Sequence, residues 1–133
     1  MHTTNAADTL ITDNNPVVLK GCYQMTLKGD TATMKIDLLD STVTGYLDYH
    51  FKEKDLNSGT LKGVIRDRYI YADYTFRSEG ISSIREVIFK VEGNTLVPGF
   101  GDIVEKDKKI IFTNKDAIQF QYETPFLKVS CLK

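Results

Sequence analysis

The sequence predicts a single all-β domain, an antiparallel up-and-down meander of about 8–10 strands closed into a lipocalin/avidin-like barrel. Three observations point there. Apolar residues recur at every second position through most of the chain, the period of a strand with one buried face. Residues of turn type separate these runs at short intervals. No stretch shows a sustained helical period. A meander with two open edges invites edge-to-edge association, so closure is favoured, with a β-sandwich as the alternative.

The elements follow in order. Residues 1–16 are rich in Thr, Asn, Asp and Ala without a period, and read as a flexible polar leader. The barrel domain then spans 17–133. Tyr23, Met25 and Leu27 alternate with polar neighbours and end at Lys28-Gly29-Asp30. Met34, Ile36 and Leu38 form the next inward row, closed by Asp40-Ser41. Val43, Leu47, Tyr49 and Phe51 share one face of a longer strand, and Asp55 to Gly59 has turn composition. Gly59, Leu61, Gly63 and Ile65 line one face, followed by Asp67-Arg68. Ile70, Ala72, Tyr74 and Phe76 lead through Arg77-Ser78-Glu79-Gly80 to Arg85, Val87, Phe89 and Val91. After Glu92-Gly93-Asn94 come four shorter strands, at Leu96 to Gly101, Ile110 to Thr113, Ile118 to Tyr122 and Phe126 to Cys131. Asn114 to Ala117 suits one helical turn. Gly45, Gly59, Gly63, Gly99 and Gly101 fall where a barrel wall bends.

Composition bounds the function. A chain of 133 residues can bury roughly two-thirds of its unfolded surface, so it needs no metal or cofactor to fold. Its net charge of −1 comes from dispersed charges with no basic block, which argues against a nucleic-acid partner. No apolar run is long enough for a membrane helix. Cys22 and Cys131 lie near the two ends of the folded region, at a spacing that fits no zinc or redox motif. A disulfide joining first and last strands is expected, the alternative being two unrelated buried thiols. One difficulty stands against the bridge. Cys22 alternates with apolar Tyr23, whereas Cys131 shares parity with Leu127 and Val129, so one strand needs a bulge or the opposite facing.

Gly21-Cys22-Tyr23, Val43 to Leu47, Glu53-Lys54-Asp55, Gly59 to Gly63 and the run Ala72 to Phe76 with Ser78-Glu79-Gly80 and Arg85-Glu86-Val87 are distinctive as strings. With Gly93 to Val97 and Gly99-Phe100-Gly101, they resemble a group of lipoproteins from Bacteroidota-type bacteria. That resemblance implies export to the periplasm or outer membrane and a lipid anchor on a cysteine. No such cysteine stands near Met1.

Several constellations bear on chemistry. Arg85 falls on the inward face beside Val87 and Phe89, where a charge needs a partner or an opening to water. Arg85, Glu79, Tyr74 and Tyr49 therefore form a candidate ligand-binding mouth in which the guanidinium clamps a carboxylate or phosphate. The plainer reading is a structural Arg85–Glu79 pair closing the barrel end. His50 sits on a polar face and, without a Cys/His cluster, makes no zinc site. No Gly-x-Ser-x-Gly elbow supports a hydrolytic triad. Asp55-x-Asn57-x-Gly59 starts like a calcium loop, but the sixth position is Thr60 and the twelfth is Arg66, where Gly and Glu are needed.

The leading expectation is therefore non-catalytic binding of a small ligand at the mouth of an exported barrel, with no cofactor, no metal and no catalytic residue assigned. One alternative is a protein partner, as for an inhibitor of an envelope-directed enzyme such as a lysozyme, engaged through Asp55–Gly59 or Ser78–Ser83. The other is a hydrolase or isomerase using Glu79 or Glu86 inside the barrel.

Overall fold

The computed structural model describes residues 9–12, 15–51 and 56–131, with side chains from residue 19 onward. Its strands are β1 (Thr9–Thr12), β2 (Asn15–Val18), β3 (Gly21–Leu27), β4 (Asp30–Leu39), β5 (Thr42–His50), β6 (Leu56–Arg66) and β7 (Tyr69–Ser78). They continue with β8 (Ile81–Glu92), β9 (Thr95–Phe100), β10 (Ile103–Lys106), β11 (Lys109–Phe112), β12 (Gln119–Phe120) and β13 (Phe126–Val129). One 3-10 turn, Lys115–Ala117, has Asn114 as its N-cap, with the Asn114 side chain accepting the Asp116 N–H at 2.9 Å.

The strands β3 to β9 pair consecutively and antiparallel, and β13 pairs with β9 on one side and β3 on the other. These strands form a closed barrel, not a sandwich. The remaining elements hang on its outside. β11 adds parallel to β8, β10 pairs with β11, and β12 pairs with β9. The chain from Gly101 to Pro125 is thus a strap laid over one flank between the last two staves. β1 and β2 pair only with each other, so the predicted leader carries a hairpin of its own.

Tight turns set the register. Lys28-Gly29, Glu79-Gly80 and Asp107-Lys108 all have positive φ at both positions, the geometry of two-residue hairpins that follow the twist of the strands. Two expected features move. Leu56 to Gly59 extend β6 instead of turning, because they pair with Leu47 to His50; Asp55 lies outside the described residues. β10 had no sequence signal, because its four residues are all exposed and so show no alternation.

The inward rows are the expected ones. One end of the barrel is filled by Leu19, Tyr23, Ile36, Val43, Val91 and Leu96, each almost fully buried. Leu19 seals this end from the segment before β3, and its carbonyl accepts the Tyr23 hydroxyl. Close packing also explains Gly45. A Cβ placed there would lie 1.8 Å from the Lys35 carbonyl oxygen on β4, so only glycine allows the two strands to curl together.

Cys22 and Cys131 are bonded, with Cα atoms 5.3 Å apart. No bulge is required; of the two ways to make the bridge, the structure uses the opposite facing of one strand. The inward residue of β13 is Phe126, buried at 1% exposure, while Leu127 and Val129 face outward at 53% and 39%. Cys131 shares their outward parity, and Cys22 faces outward between Gly21 and Tyr23, directly opposite Val129.

Reduction of the disulfide, which spans 109 residues, is expected to lower stability by up to about 4–5 kcal/mol. Urea unfolding with and without reductant measures it, and an unmoved midpoint would contradict it. Gly45→Ala is expected to cost about 1–3 kcal/mol in the same assay.

Candidate functional site

Antiparallel alternation collects the ends of the long strands into a second, less filled end. β5 brings Tyr49, with Phe51 just beyond its end, β6 brings Asn57, β7 brings Tyr74 and Phe76, and β8 brings Arg85, Val87 and Phe89. Phe126 of β13 and Pro98 of β9 complete the wall around a cavity of about 290 Å³. That is near the lower end of the range for small-ligand sites, about 300–1,000 Å³. The lining is mainly aromatic. Tyr49 stacks on Phe51 and Tyr74 on Phe76, with centroids 5.8 and 4.8 Å apart, and Tyr49 meets Tyr74 edge-on at 6.3 Å.

Arg85 is the charged residue on the inner face of this chamber. It stands directly opposite Tyr74 and is half-buried. Among the described residues, no carboxylate comes within ion-pair distance of its guanidinium. A partly desolvated cation is costly unless paired or open to water.

Of the four residues expected at the mouth, the structure brings together Arg85, Tyr74 and Tyr49. Glu79 is not with them. It sits at the tip of the β7–β8 hairpin with φ of 54°, exposed, and makes no ion pair with Arg85. The two-residue turn fixes it there: Ser78 and Ile81 are register partners, so Glu79 lies beyond the ladder. Glu86 borders the cavity but faces outward on β8, where one carboxylate oxygen accepts the Phe112 N–H at 2.9 Å and the other meets Lys115 Nζ at 2.9 Å. His50 is exposed, as expected for a surface histidine. Among the described residues, no group of three or more His, Cys, Asp or Glu side chains is placed to hold a metal ion.

The two tyrosines differ in role. Tyr74 donates to the Leu47 carbonyl at 2.7 Å, which orients its ring across the chamber. Burial raises its pKa above the ordinary phenol value, with Tyr49 and Asp48 adding to the effect. Burial also raises Tyr49, while the Arg85 guanidinium pulls it the other way. Both are therefore neutral hydroxyls at physiological pH.

Part of the lining was missed by sequence reasoning. Ile88, Phe100 and Phe112 also line the cavity. Ile88 and Val97 are buried although they face out of the barrel, because the strap covers them. A signal existed: Ile88-Phe89 and Val97-Pro98 are consecutive apolar residues, and a strand that is apolar on both faces is covered on both faces.

A second hollow, about 680 Å³, lies against the strap near Asp102, Asn114, Gln121 and Glu123. It is open and polar and holds no basic residue, so it lacks the combination of enclosure and charge found at Arg85.

Comparison of the chain with family models, characterised proteins and solved structures found no match. The geometry therefore carries the functional argument alone. Among the described residues, no helix is long and apolar enough to cross a membrane.

Tyr23, Tyr49 and Tyr74 have folded-state pKa values above the ordinary 10, that of Tyr23 being pushed up to about 12 by burial. Above pH 10 the unfolded chain loses these protons while the folded chain keeps them, so stability falls as pH rises. The loss begins near pH 10 and, for Tyr23, runs to about pH 12. Urea midpoints across this window, with tyrosinate absorbance recorded in parallel, are expected to fall together. Tyr23→Phe is expected to flatten the slope, and an unchanged slope would contradict the assignment.

Proposed function

We propose that this protein is a non-catalytic binding domain for a small ligand with an apolar body and one anionic group. The single observation behind it is Arg85, a cation without a carboxylate partner among the described residues, set in the wall of a cavity rich in aromatic rings. The guanidinium supplies charge-assisted hydrogen bonds to a carboxylate or sulfonate. The stacked rings of Tyr49, Phe51, Tyr74 and Phe76 supply apolar surface. The neutral Tyr49 hydroxyl next to Arg85 adds a donor or acceptor.

The enzyme alternative loses its two named carboxylates. Glu79 is off the chamber and both oxygens of Glu86 are engaged on the outside. The expected protein-docking loop at Asp55–Gly59 also changes character, since Leu56–Gly59 are ladder residues of β6. Export belongs to the same proposal. The Cys22–Cys131 bond supports an oxidising compartment such as the periplasm, and the lipoprotein resemblance agrees with it.

Arg85→Leu separates this reading from a structural role. Anilinonaphthalene sulfonate, an aromatic monoanion, is the probe. Fluorescence titration is expected to show saturable binding to the native protein and roughly tenfold to a hundredfold weaker binding to the variant. The thermal midpoint of the variant is expected to stay level or rise, because a partly buried charge without a partner has been removed. Equal affinity in the two proteins, or no binding to either, would reject the proposal.

A further inference from the structure

The polar side chains that border the cavity fall into two groups. Some are engaged by the protein itself. Tyr74 donates to the Leu47 carbonyl, Glu86 is held by the Phe112 N–H and Lys115, and the Thr124 hydroxyl donates to Gln121 Oε1 at 3.5 Å. The others are not. Among the described residues, the Arg85 guanidinium, the Tyr49 hydroxyl and the Asn57 amide have no hydrogen-bond partner.

Register sets their places. Tyr49 of β5 and Asn57 of β6 are direct cross-strand partners. They share the inward parity of Leu47 and Leu61, which are both buried. Partners on one face have Cβ atoms about 5 Å apart, so hydroxyl and amide make one neutral polar patch. The Tyr49 ring lies 6.3 Å from that of Tyr74, and Tyr74 stands directly opposite Arg85. Patch and guanidinium are thus within reach of one small molecule.

The chemistry of the patch narrows the ligand. Asn57 offers a carbonyl acceptor and N–H donors, and Tyr49 offers a hydroxyl that does either. An apolar ligand surface laid over them would strip both of water and leave them unpaired. An amide carries its N–H and C=O at opposite ends, so it spans two side chains at this spacing, whereas a hydroxyl gathers both functions on one atom. A free amino group is a poorer match. Its ammonium would lie near the Arg85 charge, and the one carboxylate bordering the cavity, Glu86, is already engaged. Size sets the last limit: about 290 Å³ is roughly ten water volumes.

We propose that the ligand is an N-acylated amino acid with an apolar side chain. Its carboxylate pairs with Arg85, its amide with Tyr49 and Asn57, and its side chain lies among Tyr74, Phe76, Val87 and Phe89. The inference rests on the ligand-binding reading above and adds the second polar group and the residues that select it.

The test is displacement of anilinonaphthalene sulfonate from the full chain by N-acetylphenylalanine, by phenylalanine and by 2-benzylpentanoate, which carries a hydrocarbon branch in place of the acetamido group. The native protein is expected to bind N-acetylphenylalanine at least about tenfold more tightly than phenylalanine. The preference for N-acetylphenylalanine over 2-benzylpentanoate, read as the ratio of their affinities, is expected to fall about tenfold in Asn57→Leu. Tyr49→Phe, which removes one hydroxyl, is expected to lower the same ratio about threefold, and it decides the matter if Asn57→Leu fails to fold. A ratio within about twofold of the native one in these variants would overturn the inference while leaving the ligand-binding reading intact. So would phenylalanine binding as tightly as its acetylated form, or failure of N-acetylphenylalanine to displace the probe. Absence of probe binding to the native protein would overturn both.

Discussion

Closure of the barrel hangs on β13. This four-residue strand is the one element that joins the start of the meander to its end, pairing with β3 through Leu127 to Val129 and with β9 through Phe126 and Leu127. Five register pairs are a thin seam, and a strand so short would fray if it stood alone. Two reinforcements sit at its ends. Phe126 is buried against Phe89, with ring centroids 5.7 Å apart. Beyond its other end, Cys131 is bonded to Cys22. An apolar anchor and a covalent one thus hold the strand that prevents β3 and β9 from becoming open edges.

The same closure accounts for the unequal ends of the barrel. β13 meets β9 near the start of β9, where Leu96 and Val91 pack with Tyr23 and Leu19. The chain between β9 and β13 does not stay in the wall at the other end. It leaves as the strap, and β8 loses its neighbour over the length from Glu86 to Ile88. The filled end carries the stability, and the parted end carries the cavity. Small side chains in the filled end would leave voids that cost stability directly. Changes at the parted end act on a wall that is already open, so the cavity and the tightest packing are spatially separated in this fold.

How far the sequence foretold this depended on whether side chains or turns decided the matter. Period-two alternation placed Tyr49, Tyr74, Phe76, Arg85 and Val87 on the inner face, because a one-residue slip would have turned every apolar residue outward. Arg85 was legible for the same reason: its parity is inward whatever its charge. Glu79 was misplaced because proximity in sequence was read as proximity in space, whereas a two-residue turn puts its apex outside the ladder. The facing of Cys131 stayed open because Leu127 and Val129 look like core residues, and only the pairing of Phe126 with Leu96 fixes which row points in. The strap was hidden for another reason. Its folding back onto β8 is a contact between distant segments that no local period encodes.

Arg85 also shows why an uncompensated charge is informative. Most charged groups near the chamber are matched: Glu86 by Lys115 and the Phe112 amide, Asp73 by Lys109, Glu92 by Lys90. These pairs lie on the outer surface, where water screens them and each contributes little. Arg85 stands half-buried on the inner face among rings, with no carboxylate partner among the described residues, where removing the charge is cheaper than leaving it unpaired. On the proposed reading, the anionic group of the ligand completes the electrostatics of the chamber.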